Sequence, residues 1–124
     1  MTIRVTCLIR RQPHLTREEF SERWGKNHAA IFTSLKAVKE NLVKYNQFHV
    51  LDGPSKELEA IGLPLAPYDG AAEFEVEKLS DLLALFGDEE YLQKAVPDEP
   101  NFLDRTSVQV LVGENQTKWQ KPSA

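Results

Sequence analysis

The sequence predicts an α+β fold, one four-stranded antiparallel sheet with helices on one face. Three observations carry that prediction. Two clear stretches alternate apolar and polar residues with period two, and two more are rich in β-branched and aromatic residues. Two other stretches repeat apolar residues at three and four, the period of a helix packed on a core. Their order along the chain is β-α-β-β-α-β, and 124 residues suit one domain rather than two.

The first strand is "IRVTCLI", residues 3 to 9, with Ile3, Val5, Cys7 and Ile9 on one face and Arg4 and Thr6 on the other. Pro13 breaks it. Thr16 followed by Glu19 forms a capping box, and Leu15 with Phe20 a hydrophobic staple, so a helix starts near residue 17. Phe20, Trp24, Ile31, Leu35 and Val38 make its inner stripe, and His28 falls on that stripe. The second strand is "LVKYNQFHVL", residues 42 to 51, with Val43, Tyr45, Gln47, His49 and Leu51 on one face. Asp52-Gly53-Pro54 ends it. A loop rich in Pro and Gly then runs to Asp69-Gly70 around a short helical piece, "SKELEAIGL", and is long enough for a lid or pocket wall. "GAAEFEV" is the third strand. "DLLALFGDEEYLQKAV" is the second helix, bent or broken at Gly87 and closed by Asp98-Glu99-Pro100. "DRTSVQVLVG", residues 104 to 113, is the fourth strand. Residues 1–113 thus form one domain, and 114–124 a tail with little to bury.

This order is the split βαβ of ferredoxin-like domains. Helices cover one sheet face only, and a bare apolar face is usually buried against a second copy, so a homodimer is expected. Mixed charges, a formal net charge of −4 and the absence of a dense basic stretch argue against nucleic acid as a partner. No apolar run reaches membrane-spanning length, and no leader pattern opens the chain. The single Cys7 cannot form an internal disulfide, so a cytoplasmic setting is expected. Three His without His-x-x-x-His spacing or paired Cys make a poor metal site, and no Gly-rich turn offers a phosphate cradle. No metal or cofactor is expected.

"CLIRRQPHLTREEFSERWGKNHAAIF", with its capped helix and Trp-x-x-x-His, resembles the opening of the EthD-like family of dimeric α+β barrels. "YNQFHV", residues 45 to 50, resembles that family's Tyr-x-Gln-x-His strand, and Phe-Leu-Asp-Arg at 102 to 105 the start of its last strand. The resemblance implies a dimer in which each subunit holds a pocket between sheet and helices. It also implies a small aromatic polyketide substrate. Similar proteins act as cofactor-independent decarboxylases, as cyclases or as anthrone oxygenases.

If the first helix packs on the sheet, His28 meets the inner face of the second strand, where His49 and Tyr45 lie four residues apart. An imidazole titrates near pH 6.5 and suits proton transfer at neutral pH. His28, His49, Tyr45 and Asp104 are therefore the candidate catalytic residues. The alternatives are a satisfied core histidine for His28, an outward turn of His49 by a one-residue register slip, and a turn cap for Asp104. His14, beside Pro13, belongs to a solvated turn. Trp24, Tyr68, Asp69, Phe86 and Phe102 are candidate substrate contacts, although Trp24 reads first as a core anchor and second as a pocket wall, Phe86 and Phe102 serve equally as core, and Tyr68-Asp69 as turn. The expected activity is a cofactor-independent lyase, decarboxylating or cyclising an aromatic polyketide acid by His-mediated proton transfer. A cofactor-free anthrone-type monooxygenase and a non-catalytic module sheltering a polyketide intermediate are the alternatives.

Overall fold

A computed structural model describes residues 1–123; Ala124, the last residue of the expected tail, lies outside the described residues. Four strands, β1 (Ile3–Arg11), β2 (Lys44–His49), β3 (Gly70–Val76) and β4 (Leu103–Gly113), form one sheet in the order β2-β3-β1-β4. Every neighbouring pair is antiparallel. This is the predicted ferredoxin-like arrangement: the helical crossover from β1 to β2 leaves one strand's width that β3 fills, and the crossover from β3 to β4 passes over β1, so β1 and β3 are central.

The first helical crossover is built in pieces. Helix α1 (Arg17–Glu22) opens with the expected capping box, Thr16 Oγ1 accepting from the Glu19 N–H at 3.0 Å and Glu19 Oε1 accepting from the Thr16 N–H at 2.9 Å. A π-helical turn (Arg23–His28) follows, then α2 (Ala29–Ser34) and, after a break at the extended Leu35, α3 (Lys36–Asn41). The π turn changes which residues face inward. A π turn holds more residues than an α turn, so the buried stripe steps 20, 24, 28, 32 and reaches Phe32 where an α period selects Ile31; Phe32 is 2% exposed.

Helix α4 (Asp52–Ala60) occupies the first half of the long connection and buries none of its residues. Helix α5 (Leu79–Phe86) ends at Gly87, as the sequence predicts, and is followed by a second π turn (Tyr91–Ala95) and a 3-10 helix (Val96–Asn101). Both helical layers lie on the face that carries Val5, Ile9, Phe74 and Val76, and with Phe20, Trp24, Leu35, Leu85 and Phe102 these make one core. Fully burying one such large side chain contributes about 1.5–3 kcal/mol. Gly70 permits the closest of these contacts: a Cβ there would lie 2.5 Å from Trp24 Cζ3, so no other residue lets the indole lie against β3.

The core helices leave the other sheet face uncovered, and α4 reaches it only at a hollow that Ser55 shares with Leu8 and Phe48. That face presents Phe48 and Leu111, both more than half exposed, beside Arg4, Leu8 and Glu73. Beyond β4, residues 114–123 form neither helix nor strand and are exposed. Among the described residues no helix is long and apolar enough to cross a membrane.

Candidate active site

On the helix-covered face, β1 and β3 place small side chains side by side. Cys7 pairs with Ala72, and Gln47 of β2 lies on the far side of Ala72. These short residues leave a hollow under the first π turn and α2. It forms a cavity of about 110 Å³, open on one side and walled mainly by Ile9, Trp24, Phe32, Phe74, Phe86 and Phe102. For scale, an engineered apolar cavity of about 150 Å³ takes up benzene, so this one has room for about one aromatic ring with the remainder of a larger molecule at its mouth. Val108, itself 38% exposed, also lines the cavity, beside an interruption of the β1–β4 ladder between Leu8 and Arg10. Bulges of this kind recur next to functional sites because they re-aim side chains.

Four polar side chains line this otherwise apolar space: His28, Tyr45, Tyr91 and Glu99. The π turn ends at His28, and the imidazole packs on Phe102, with ring centroids 4.9 Å apart. Its Nδ1 lies 3.0 Å from Asp98 Oδ2. A carboxylate there fixes the proton on Nδ1, which leaves Nε2 as an acceptor. No protein group among the described residues bonds Nε2, and no fully buried side-chain nitrogen or oxygen lacks a partner, so Nε2 opens onto accessible space, the cavity. Burial holds the imidazole below its ordinary value, with Asp98 pulling in the opposite direction. At neutral pH His28 is therefore a neutral base aimed into an aromatic chamber.

The Tyr45 hydroxyl accepts from Gln47 Nε2 at 2.9 Å, and burial raises its pKa to about 12, so it stays a phenol and keeps a proton to donate. Burial raises Tyr91 in the same direction. Glu99 lies on the 3-10 helix next to Asp98, with its carboxyl pushed up by burial. Its ion pair with Arg105 is loose, Nε to Oε1 3.5 Å.

Five of the nine residues singled out in the sequence thus line one cavity: His28, Tyr45, Trp24, Phe86 and Phe102. The other four lie elsewhere. His49 faces the helices as β2 alternation requires, but it packs on Trp24, with centroids 4.6 Å apart, and lines no part of the cavity. Both its nitrogens are engaged, Nδ1 with Ser21 Oγ and Nε2 with Gln47 Oε1 at 2.8 Å. The expectation that both imidazoles share one chamber is therefore corrected: the Trp24 indole fills the space against His49. Asp104 accepts from the Thr106 N–H at 3.1 Å and hydroxyl at 2.6 Å, capping the turn where β4 begins. Asp69 is 5% exposed and is an ion-pair node. Burial by itself raises its pKa, but the Arg11 N–H at 2.8 Å and the Arg17 and Arg11 guanidiniums hold it low. Tyr68 lies under the Arg10 guanidinium, 5.5 Å from ring to carbon, and lines a second hollow of about 250 Å³ between Leu8, Phe48 and Leu65.

Tyr91, Asp98 and Glu99 are the polar residues that sequence reasoning passed over. "PDEP" reads as a helix stop, and nothing in its spacing ties it to a histidine 70 residues earlier. Among the described residues no group of three or more His, Cys, Asp or Glu is arranged to hold a metal ion.

The EthD domain model matches residues 12–106. A relative from Metarhizium robertsii, named as a conidial pigment biosynthesis dehydratase EthD, is 25% identical over 113 residues, covering 88% of this chain and 79% of that protein. Among solved structures, an ethyl tert-butyl ether D (EthD) family protein from Bacillus halodurans aligns with a TM-score of 0.63 at 15% identity, covering 94% of this chain and all of that one. A dimeric protein of ferredoxin-like fold from Bacteroides fragilis aligns with a TM-score of 0.59 at 12% identity, covering 92% of this chain and 96% of that one. With the family model spanning most of its length and the fold in agreement, the chain belongs to the EthD domain family.

Proposed function

We propose that the protein is a cofactor-independent lyase that removes water from a partly reduced, hydroxylated aromatic ring of polyketide type. The observation that carries this reading is the unpartnered Nε2 of a neutral His28, aimed into an aromatic cavity with Nδ1 held by Asp98. The pigment-pathway dehydratase among its relatives supports the same class of reaction.

In this reading the aromatic walls hold one ring of the substrate by stacking and exclude water. Tyr45 donates a hydrogen bond from its phenol to the ring ketone and keeps its proton, steadying the enolate. His28 Nε2 takes the proton from the carbon next to that ketone, the enolate expels hydroxide from the following carbon, and the resulting enone tautomerises to a phenol. The gain of aromaticity drives the reaction forward. Asp98 positions the imidazole and stabilises its charged form as the proton arrives. Decarboxylation of an aromatic acid, the first expectation from sequence, asks His28 to begin protonated and deliver a proton to carbon. A histidine held below its ordinary value favours the base role instead.

The subunit would work as a homodimer formed through the uncovered sheet face; the exposed Phe48 and Leu111 and the dimeric structural relative support this. Sedimentation showing a stable monomer of 14.1 kDa would end that part of the reading.

Two bicyclic model compounds test the reaction, because both yield fluorescent 1-naphthol. 3-Hydroxy-1-tetralone does so by losing water, and 1-hydroxy-2-naphthoic acid by losing carbon dioxide. The expected result is naphthol from the tetralone, reduced about 10²–10⁴-fold in His28→Gln, the usual contribution of one acid–base group. Naphthol from the acid alone would replace dehydration with decarboxylation. Naphthol from neither would overturn the lyase reading.

A further inference from the structure

Elimination of water needs two proton transfers, one from carbon and one to the departing hydroxide, and His28 accounts only for the first. We propose that Glu99 is the proton donor to the leaving hydroxyl, an assignment that rests on the lyase reading and completes it.

The geometry points to Glu99 for three reasons. Its side chain lines the same cavity as His28, from the 3-10 helix that also supplies Asp98. The two neighbours divide the work: Asp98 turns to His28 Nδ1 while Glu99 faces the open space. Among the described residues no hydrogen bond uses the Glu99 carboxyl, since its contact with Arg105 is an ion pair at 3.5 Å without hydrogen-bond geometry. A structural carboxylate at 17% side-chain exposure usually has at least one hydrogen-bond partner in the protein. This one is left unsaturated where a substrate hydroxyl would lie.

The titratable and charged groups around it are Arg105 of β4, Tyr91 of the second π turn, Cys7 of β1, and His28 and Asp98. Burial raises its pKa, and Asp98 adds to that, while Arg105 opposes it. Burial thus displaces Glu99 upward and His28 downward from their ordinary values, a direction that suits a step in which one loses a proton as the other gains one. The bonds balance. The C–H pair becomes the new C=C bond, the C–O bond breaks, hydroxide takes the Glu99 proton to become water, and imidazolium and carboxylate are reset by proton exchange through the open mouth.

The test compares two leaving groups. 3-Hydroxy-1-tetralone must expel hydroxide and needs an acid, whereas 3-acetoxy-1-tetralone expels acetate and needs none; both require the His28 base and both give 1-naphthol. Glu99→Gln, nearly isosteric, is expected to slow the hydroxy compound about 10²–10⁴-fold and the acetoxy compound far less, so that the ratio of the two rates falls. His28→Gln is expected to slow both. In the unaltered protein the hydroxy reaction should fall as rising pH deprotonates Glu99, and the acetoxy reaction should lack that alkaline limb, a readout that needs no variant. Glu99→Gln slowing both compounds equally, or neither, overturns the assignment while leaving the lyase reading intact. An unaltered protein that forms naphthol from neither compound overturns the lyase reading and this assignment together.

Discussion

His28 and His49 are held by neighbouring parts of the same helix–sheet contact, and their surroundings leave the two rings free to do different things. His28 has one nitrogen tied to Asp98 and the other open to the cavity. His49 has both nitrogens tied, one to Ser21 and one to Gln47, with its ring against Trp24. Burial lowers the pKa of both, so titration alone does not distinguish them. What separates them is a free lone pair next to empty space. An imidazole with two protein partners is a strut between a helix and a strand, while one with a single partner keeps a lone pair free to accept a proton.

The largest effect should come from exchanging the two rings in turn for an isosteric amide. His28→Gln is expected to lower 1-naphthol formation from 3-hydroxy-1-tetralone about 10²–10⁴-fold, and His49→Gln to lower it far less, because His49 borders no part of the cavity. Equal losses in steady-state kcat/KM would erase the distinction. In the unaltered protein kcat/KM should rise with pH through the His28 value, because the base acts unprotonated, and that rise should lie below the ordinary pH 6.5 of a free imidazole.

Asp98→Asn sharpens the comparison from the His28 side. A hydrogen bond to a charged group contributes about 1.5–3 kcal/mol, or ~10–100-fold, and that loss is expected in kcat. Asp98 raises the pKa of His28 against the lowering by burial, so its removal should move the acid limb to still lower pH. An unchanged limb would mean that Asp98 does not hold the ring. Nothing comparable is expected from Gln47, which gives His49 an amide oxygen rather than a charge.

The difference between the two sites also marks what the chain reveals in one dimension. Local patterns specify the strands, the Thr16–Glu19 cap and the stop at Gly87, because each depends on residues a few positions apart. Placing Tyr45, Gln47 and His49 on one face was legible for the same reason, as period two fixes it, and pairing with Phe74, Ala72 and Gly70 agrees. The depth of each side chain was not legible. Whether His49 reaches the cavity depends on the bulk of Trp24 and on Gly70, which lets the indole lie flat against β3. The π turn shifted the stripe from Ile31 to Phe32, and no local propensity announces such an insertion. Asp98 and Glu99 reach the site only through folding of a segment 70 residues beyond His28.

The smallest expected effect, from Ser21→Ala, tests the His49 side. Gln47 Nε2 donates to the Trp24 carbonyl at 3.1 Å and to the Tyr45 hydroxyl at 2.9 Å, which fixes the amide with Oε1 toward His49. That oxygen can only accept, so the His49 proton sits on Nε2, and Nδ1 must accept from the Ser21 hydroxyl. Removing the hydroxyl deletes one neutral hydrogen bond, a loss of about 1 kcal/mol, held to that size because His49 is only partly buried and water can reach Nδ1 in its place. Urea denaturation should show that decrease with no change in naphthol formation, and ¹⁵N spectra should still place the proton on Nε2, since Gln47 rather than Ser21 sets the tautomer. A loss of activity larger than the loss of stability, or a tautomer moved to Nδ1, would mean that the Ser21–His49–Gln47 chain transmits protons to the cavity, and His49 would then join His28 as a working base.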